Sequence, residues 1–438
     1  MRIRLALLAA GTALISACGP AGAPPTPLRA PLQALRLSID SLVSDPAFAN
    51  AHLGVLIVNP ATGDTLYSRN AGKLFMPASN QKVLTSAVAL THLGPDYRYN
   101  TVIATRGTRA DTVLNGDLIV IGNGDPTISN RVRGSAEAFM DSVADSIRAR
   151  GITRVTGVLR QGGDAFPDSI YGYGWEWDDL KGSSGAPVDE LLYNEGMVQR
   201  ATSIDGRDTT VAIATRTPGY AYLSALYLAM SRKGIVVDGL VDLAVDSLSA
   251  PYDTLYSFQS PPLREILKHF MKPSQNQIGE VLLKTLGRER TGAGTADSGA
   301  VVVTRQLHEW GVDSTGVVVY DGSGMSRHDL VTPETLIKIL VAMMRDSATF
   351  DVFYESFPIA GVDGTIRTRM RETPAANNLR GKTGTLEFVR SLSGYVSTAD
   401  DQLLVYSFLT NHFTVPVSRV TRLQDAIGVL LANYRASP

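Results

Sequence analysis

Apolar positions fall into runs of helical and strand spacing along almost the whole chain. Leu32, Leu35, Ile39 and Leu42 recur at helical spacing and predict a first amphipathic helix. His52 to Val58 is apolar and β-branched, Asn59-Pro60-Ala61-Thr62-Gly63-Asp64 has turn chemistry, and Thr65-Leu66-Tyr67-Ser68 returns, which predicts a hairpin. The Ala/Leu/Val-rich run Val83 to Leu90 then reads as a buried helix ending at Gly94-Pro95. From there the pattern changes. Tyr97, Tyr99 and Val102 alternate with polar residues, and Leu118 to Ile121 is a strand entering the turn Gly122-Asn123-Gly124-Asp125-Pro126. Helices are expected over Ala136–Arg150 and Tyr220–Arg232, with short strands at Val158, Val211–Ile213 and Val236-Val237.

Helical spacing returns at Leu263 to Met271. Ile278, Val281, Leu282 and Leu286 mark an amphipathic helix closed by Gly287, and Arg288 to Gly299 reads as a loop. A helix over Ala300–Trp310, a strand over Val317–Tyr320, a helix over Thr332–Met344, strands over Ser393–Ser397 and Leu403–Thr410, and a final helix over Val420–Tyr434 follow. Strands and helices alternate without internal repeat, so the fold class is mixed α/β (α+β). Residues 95–254 form a separate mixed unit that holds few constellations able to do chemistry, and 32–94 joins 255–438 across it.

The N-terminus is built differently. Met1-Arg2-Ile3-Arg4 is basic, and Leu5 to Ala17 is an apolar stretch too short for a stable bilayer span, the pattern of a secretory signal. It ends Ile15-Ser16-Ala17-Cys18-Gly19, which resembles the bacterial lipobox, where the cysteine is lipidated and becomes the new N-terminus. Residues 1–18 are read as a lipoprotein signal peptide with Cys18 as lipidation site, the alternative being an ordinary cleavage site near Ala17 or Ala23 with an incidental cysteine, and the Pro/Ala/Gly-rich residues 19–31 as a flexible tether. Cys18 is the one cysteine of 438 residues, so an exported fold has no internal disulfide to lean on. Net charge is −1, which leaves no electrostatic footprint for nucleic acid.

Chemistry enters at the start of the buried helix. Ser79 and Lys82 in Pro77-Ala78-Ser79-Asn80-Gln81-Lys82 are three positions apart, so on a helix they share a face. A chain of this length holds about two Ser-x-x-Lys matches by chance, and a capping serine with a solvated lysine gives the same pattern. Two later stretches alter that weighting. Ser274-Gln275-Asn276 precedes the amphipathic helix, and Lys382-Thr383-Gly384 precedes two strands. Lys-Thr-Gly is expected only about a tenth of a time by chance. The three in this order match the motif set of the serine penicillin-recognising enzymes.

A hydroxyl is a poor nucleophile until a base takes its proton. The six histidines are scattered, there is no Gly-x-Ser-x-Gly elbow, and His308-Glu309 lacks the second histidine of a zincin, which leaves Lys82 as the base for Ser79. Burial and a second cation, Lys382, could lower its pKa. Ser274 could pass a proton between the lysines or to a leaving amine, or merely cap the following helix. Asn276 could hold a substrate amide, or satisfy loop backbone. Lys382, Thr383 and Thr385 could bind a carboxylate, or Lys382 could be a solvated strand-end charge and Gly384 a bulge. The backbone N–H groups of Ser79 and Thr385 are the candidates for an oxyanion hole.

Further segments extend the likeness. The chain resembles the D-alanyl-D-alanine carboxypeptidase/endopeptidase family, the low-molecular-mass class C penicillin-binding proteins, from about residue 48 to 432. The resemblance rests on Met76-Pro77-Ala78-Ser79-Asn80-Gln81-Lys82, Leu114-Asn115-Gly116-Asp117-Leu118, Gly122-Asn123-Gly124-Asp125-Pro126, Trp175-Glu176-Trp177, Asp321-Gly322-Ser323-Gly324-Met325-Ser326-Arg327, Ala360-Gly361-Val362-Asp363-Gly364-Thr365 and Gly381-Lys382-Thr383-Gly384-Thr385-Leu386.

The resemblance implies a penicillin-binding, β-lactamase-like transpeptidase fold: an antiparallel sheet flanked by helices, split by the 95–254 insertion. It implies a serine DD-peptidase with Ser79, Lys82 and Ser274 catalytic, and Asn276, Lys382, Thr383, Gly384 and Thr385 binding substrate. The substrate would be peptidoglycan stem peptides ending in D-Ala-D-Ala, or their D-Ala cross-links, and β-lactams would acylate the same serine. No metal or organic cofactor is implied. The protein is expected to be exported to the periplasm and tied to a membrane through the lipid on Cys18. A β-lactamase and a non-catalytic cell-wall-binding protein are the alternatives. Gln275 stands where the family usually has Asp, and Glu280 fills the position of a common acidic residue.

Overall fold

The computed structural model describes residues 30–204 and 207–436, so the signal sequence, Cys18 and nearly all of the tether lie outside the described residues. Helix α1 (Ala30–Val43) leads to the hairpin β1 (His52–Asn59) and β2 (Asp64–Arg69), then to a 3-10 turn at Ala78–Asn80 that runs into α2 (Gln81–Leu93). The next unit contains β3 (Asn100–Ala110), β4 (Val113–Ile121), α3 (Ala136–Ala149), β5 (Leu159–Gly162), a hairpin Met197–Ile204/Arg207–Ala214, α4 (Pro218–Arg232), β6 (Val241–Asp246) and β7 (Asp253–Gln259). Helices α5 (Leu263–Met271), α6 (Asn276–Thr291), α7 (Ala296–Glu309), α8 (Pro333–Arg345) and α9 (Phe350–Ser356) follow. Three strands, β8 (Arg380–Leu386), β9 (Val389–Ser397) and β10 (Leu403–Asn411), and α10 (Val417–Asn433) complete the chain.

The first sheet has the order β8-β9-β10-β1-β2, antiparallel throughout, with chain start and chain end paired through Val55↔Phe408 and Ile57↔Tyr406. Both faces are covered, which is why β10 reads as a nearly continuous apolar run and why β9, although it carries Ser391 and Ser393, is buried along almost its whole length. Val55, Ile57, Leu404, Tyr406 and Phe408 pack with Leu35 and Ile39 of α1 and Ile427 and Leu431 of α10. Leu56, Val405 and Leu409 face the other way, into a cluster with Val83 and Leu84 of α2 and Leu336 and Leu340 of α8. Residues Gln81 to Leu90 of α2 are all buried, so the helix is packed on every side. This is the expected antiparallel sheet flanked by helices.

The second sheet, β6-β5-β4-β3-β7, is mixed: β3 pairs antiparallel with β4 and β7, whereas β5 runs parallel to β4 and β6. It packs on α3 and α4 through Met140, Ile147, Leu223 and Leu226. The 254/255 boundary read from the sequence falls inside β7. One sequence expectation fails. Helix α6 does not stop at Gly287 but runs to Thr291, where Gly292 (φ +84°) caps it. Helix α7 begins at Ala296, with the Thr295 hydroxyl accepting from Ser298 N at 3.1 Å. Gly287 and Gly299 mark helix contact rather than helix ends: a Cβ on Gly299 would sit 2.0 Å from Leu283 O, and one on Gly287 2.6 Å from Ala293 O.

Candidate active site

Ser79 sits inside the 3-10 turn between β2 and α2, partly exposed, with buried Ala78 and Asn80 on either side. Ala78 has φ +47°, and the turn is held in this tight form by β8 and β9. Asn80 Nδ2 donates to Lys382 O at 2.9 Å and to Ser391 Oγ at 2.7 Å, and Ser391 Oγ donates to Pro77 O at 2.7 Å. A Cβ on Gly384 would lie 2.1 Å from Ser391 Oγ and 3.0 Å from Ser79 N, so only glycine lets β8 lie against the serine. The capping role weighed for Ser79 does not apply: Asn80 is the cap residue of α2, and its side chain is committed to β8 and β9.

Lys82 is fully buried one turn on. Its Nζ lies 3.0 Å from Ser79 Oγ, 2.7 Å from Asn276 Oδ1 and 2.6 Å from Ser323 O, with the Phe270 ring 5.8 Å away. Burial lowers its pKa to about 7, against the opposing pull of Asp321, Glu280 and Asp329. Near neutrality a large share of Lys82 is therefore the free amine. Asn276 Oδ1 and Ser323 O can only accept, so they take the two N–H groups of that amine, and its lone pair is left for the Ser79 hydroxyl.

Lys382, also fully buried, donates to Ser274 Oγ at 2.8 Å and to Thr383 O at 2.9 Å. Burial, then the charge of Lys82, hold it well below the ordinary lysine range. Burial is what lowers Lys82, and the charged neighbours acting on it are the carboxyls of Asp321, Glu280 and Asp329 rather than the second cation expected from the sequence. Ser274 is not a helix cap either. It has φ +64°, and Gln275 caps α6 instead, its Oε1 accepting from Ile278 N at 2.7 Å. The glutamine in the motif's middle position therefore serves as the cap of that helix. Thr383 donates to Thr365 Oγ1 at 2.7 Å, and Thr385 is exposed on the edge strand β8.

Asp321 and Glu280 were visible as parts of the family likeness, but no local pattern placed them behind Lys82. Asp321, Asp329 and Glu280 are buried there, in a turn and on α6. Nor was the inserted unit expected at the site. Asn276 Nδ2 donates to Ser184 O at 2.9 Å, Gln277 Nε2 donates to Ser183 O at 2.9 Å and to Ala186 O at 3.0 Å, and Trp175 Nε1 donates to Asp321 Oδ2 at 2.9 Å. Residues 175–186 therefore form one wall of the site. Only the Trp175-Glu176-Trp177 stretch hinted at this. Among the described residues, Glu176, Asp178 and Asp179 have carboxylate oxygens within 4.8 Å of one another, close enough for a metal ion, but Glu176 already pairs with Arg327 at 2.9 Å.

The arrangement places a serine, a deprotonatable lysine and a second lysine–serine pair in one cleft, between an edge strand and two helices. The profile of the D-Ala-D-Ala carboxypeptidase 3 (S13) family matches residues 35–206 and 201–434. A D-alanyl-D-alanine carboxypeptidase of Actinomadura sp. (strain R39) is 32% identical over 98% of this chain and 88% of its own length. The crystal structure of penicillin binding protein 4 (dacB) from Haemophilus influenzae superposes with a TM-score of 0.79, at 22% identity, over 90% of this chain and 99% of that one. The same protein complexed with a β-lactam gives a TM-score of 0.73 at 23% identity, over 91% and 100%.

Proposed function

The chain belongs to the D-Ala-D-Ala carboxypeptidase 3 (S13) family, and from that premise we propose that it is a serine DD-peptidase of peptidoglycan stem peptides. Ser79 passes its proton to Lys82 Nζ and attacks the carbonyl carbon of the penultimate D-Ala. The oxyanion is held by the N–H groups of Ser79 and Thr385. Lys82 and Ser274 return a proton to the amine nitrogen, the C–N bond breaks, and D-Ala leaves, or the cross-bridge amine when a D-Ala cross-link is cut. Water, deprotonated by Lys82, then hydrolyses the ester on Ser79. Asn276 orients the substrate amide. Lys382, Thr383 and Thr385 take its terminal carboxylate, with Gly384 allowing the close approach of the strand. β-Lactams enter by the same attack and stay as the acyl-enzyme. The same reading has residues 32–94 and 255–438 as the catalytic domain, 95–254 as the insertion, and an exported lipoprotein held in the periplasm by Cys18.

One observation carries this reading: Lys82 Nζ, 3.0 Å from Ser79 Oγ, has both other contacts on pure acceptors and is buried. The test is covalent labelling with a fluorescent penicillin, together with D-Ala release from a stem pentapeptide. Labelling is expected at Ser79 and lost in Ser79→Ala, with an adduct that persists for many minutes. Retained labelling in Ser79→Ala defeats the assignment, and rapid loss of the adduct makes the protein a β-lactamase.

A further inference from the structure

Behind Lys82 the interior holds more acid than a dry core tolerates in charged form. Asp321 Oδ1 accepts from the backbone N–H groups of Ser323 (3.1 Å) and Gly324 (2.5 Å). Its Oδ2 accepts from Ser326 N (2.8 Å), Trp175 Nε1 (2.9 Å) and Ser323 Oγ (3.4 Å). The other two carboxyls are poorly served. Asp329 Oδ1 accepts from Tyr320 N at 2.7 Å and Asp321 N at 3.3 Å, and Glu280 Oε2 accepts from Gly322 N at 3.2 Å. Their remaining oxygens, Asp329 Oδ2 and Glu280 Oε1, are buried with no hydrogen-bond partner among the described residues. A buried carboxylate short of donors keeps its proton, whereas one surrounded by donors ionises.

We propose that Glu280, Asp321 and Asp329 form a positioning and charge-setting device for Lys82. Asp321 alone is ionised and moulds the 321–326 turn, so that the Ser323 carbonyl meets Lys82 Nζ at 2.6 Å, while Glu280 and Asp329 remain protonated. The inference rests on the reading of Lys82 as the base for Ser79.

The charge count decides why only one carboxylate is tolerated. Three anions around Lys82 would pin it as an ammonium with no lone pair for the serine. A single anion leaves burial dominant and keeps the turn in place. The pKa directions agree: burial and then Asp321 raise Glu280 to about 8, and the same two causes push Asp329 far up. The other groups facing Lys82 are Ser79 and Asn276, which are neutral, Lys382 from β8, and the Phe270 ring from α5. Asp321 also receives the indole of Trp175, so the device joins the inserted unit to the base.

The experiment is the pH dependence of penicillin acylation in the full-length protein, for wild type, Asp321→Asn and Glu280→Gln. Acylation of the wild type rises with pH as Lys82 loses its proton. Removing the Asp321 charge removes a pull that holds the proton on, so the acid limb of Asp321→Asn moves down by about one pH unit. Glu280→Gln mimics the protonated acid and leaves the limb where it is. A wild-type limb in Asp321→Asn, or a downward shift in Glu280→Gln, overturns the proposal, and both leave Ser79 labelling, and hence the functional reading, intact. Should Asp321→Asn not fold, the Glu280→Gln limb decides alone: unmoved supports the device, moved down overturns it. Absence of Ser79 labelling in the wild type defeats the functional reading instead.

Discussion

At the scale of single residues the decisive feature is how Lys82 spends its hydrogen atoms. Two acceptors at 2.7 and 2.6 Å fix the N–H groups of the amine, and only the lone pair remains for Ser79. A base with a pKa of about 7 works in its neutral form, so acylation should climb as pH rises through about 7 and level off above. Lys82→Arg keeps charge and length but cannot titrate in this range. We expect it to acylate about 10²–10⁴-fold more slowly, with no acid limb, measured by stopped-flow labelling. A wild-type rate in this variant would remove Lys82 from the role of base. Ser79, Lys82, Ser274 and Lys382 stood out in the sequence because each lies in a short motif at fixed spacing. Glu280 was legible only as an acidic residue the family commonly carries and Asp329 not at all, since a single acid carries no sign of its own burial. The stretch Asp321-Gly322-Ser323-Gly324 was visible as a family likeness, but its carboxylate's task depends on a turn folding back over it.

At the scale of elements the site is an edge strand laid against a helix start, and glycine is what allows the approach. An alanine at 384 would put its Cβ 2.6 Å from Pro77 O, a backbone atom that cannot swing aside, and 2.1 Å from Ser391 Oγ. Gly384→Ala is therefore expected to cost about 1–3 kcal/mol of stability and to displace the Thr385 N–H from Ser79, lowering the acylation rate even where the fold survives. Gly299→Ala meets the Leu283 carbonyl at 2.0 Å, far from the serine, and should lower the melting temperature while acylation per folded molecule stays unchanged. Equal loss of acylation in both variants would show that Gly384 acts only through stability. The same glycines explain where the sequence misled. Gly287 and Gly299 looked like a helix end and a loop end because glycine is a common stop signal. They are small because two helices press together there, and a contact between distant segments leaves no local pattern. Strand and helix periodicity elsewhere placed the hairpin, the buried helix and the last three elements to within a few residues.

At the scale of the whole molecule, the insertion shares the site instead of standing beside it. A change in pattern near residue 95 was legible in the sequence, but these contacts were not, because Ser183 to Ala186 engages through backbone carbonyls that any sequence possesses. Gln277 is the residue on the catalytic side that reads them, donating to Ser183 O at 2.9 Å and Ala186 O at 3.0 Å while accepting from Gln275 Nε2 at 2.5 Å. Replacing it with alanine strands the buried Ala186 carbonyl and frees the neighbouring wall, at a cost of about 1–3 kcal/mol. The next residue back, Asn276, loses a fixed surrounding for the amide that orients Lys82. Gln277→Ala should thus speed hydrogen exchange across residues 183–186 and slow acylation together, with Ser79 and Lys82 untouched. Were the insertion an independent domain resting near the cleft, exchange there could rise with no change in acylation. That uncoupled result would return the site to the 32–94 and 255–438 segments alone.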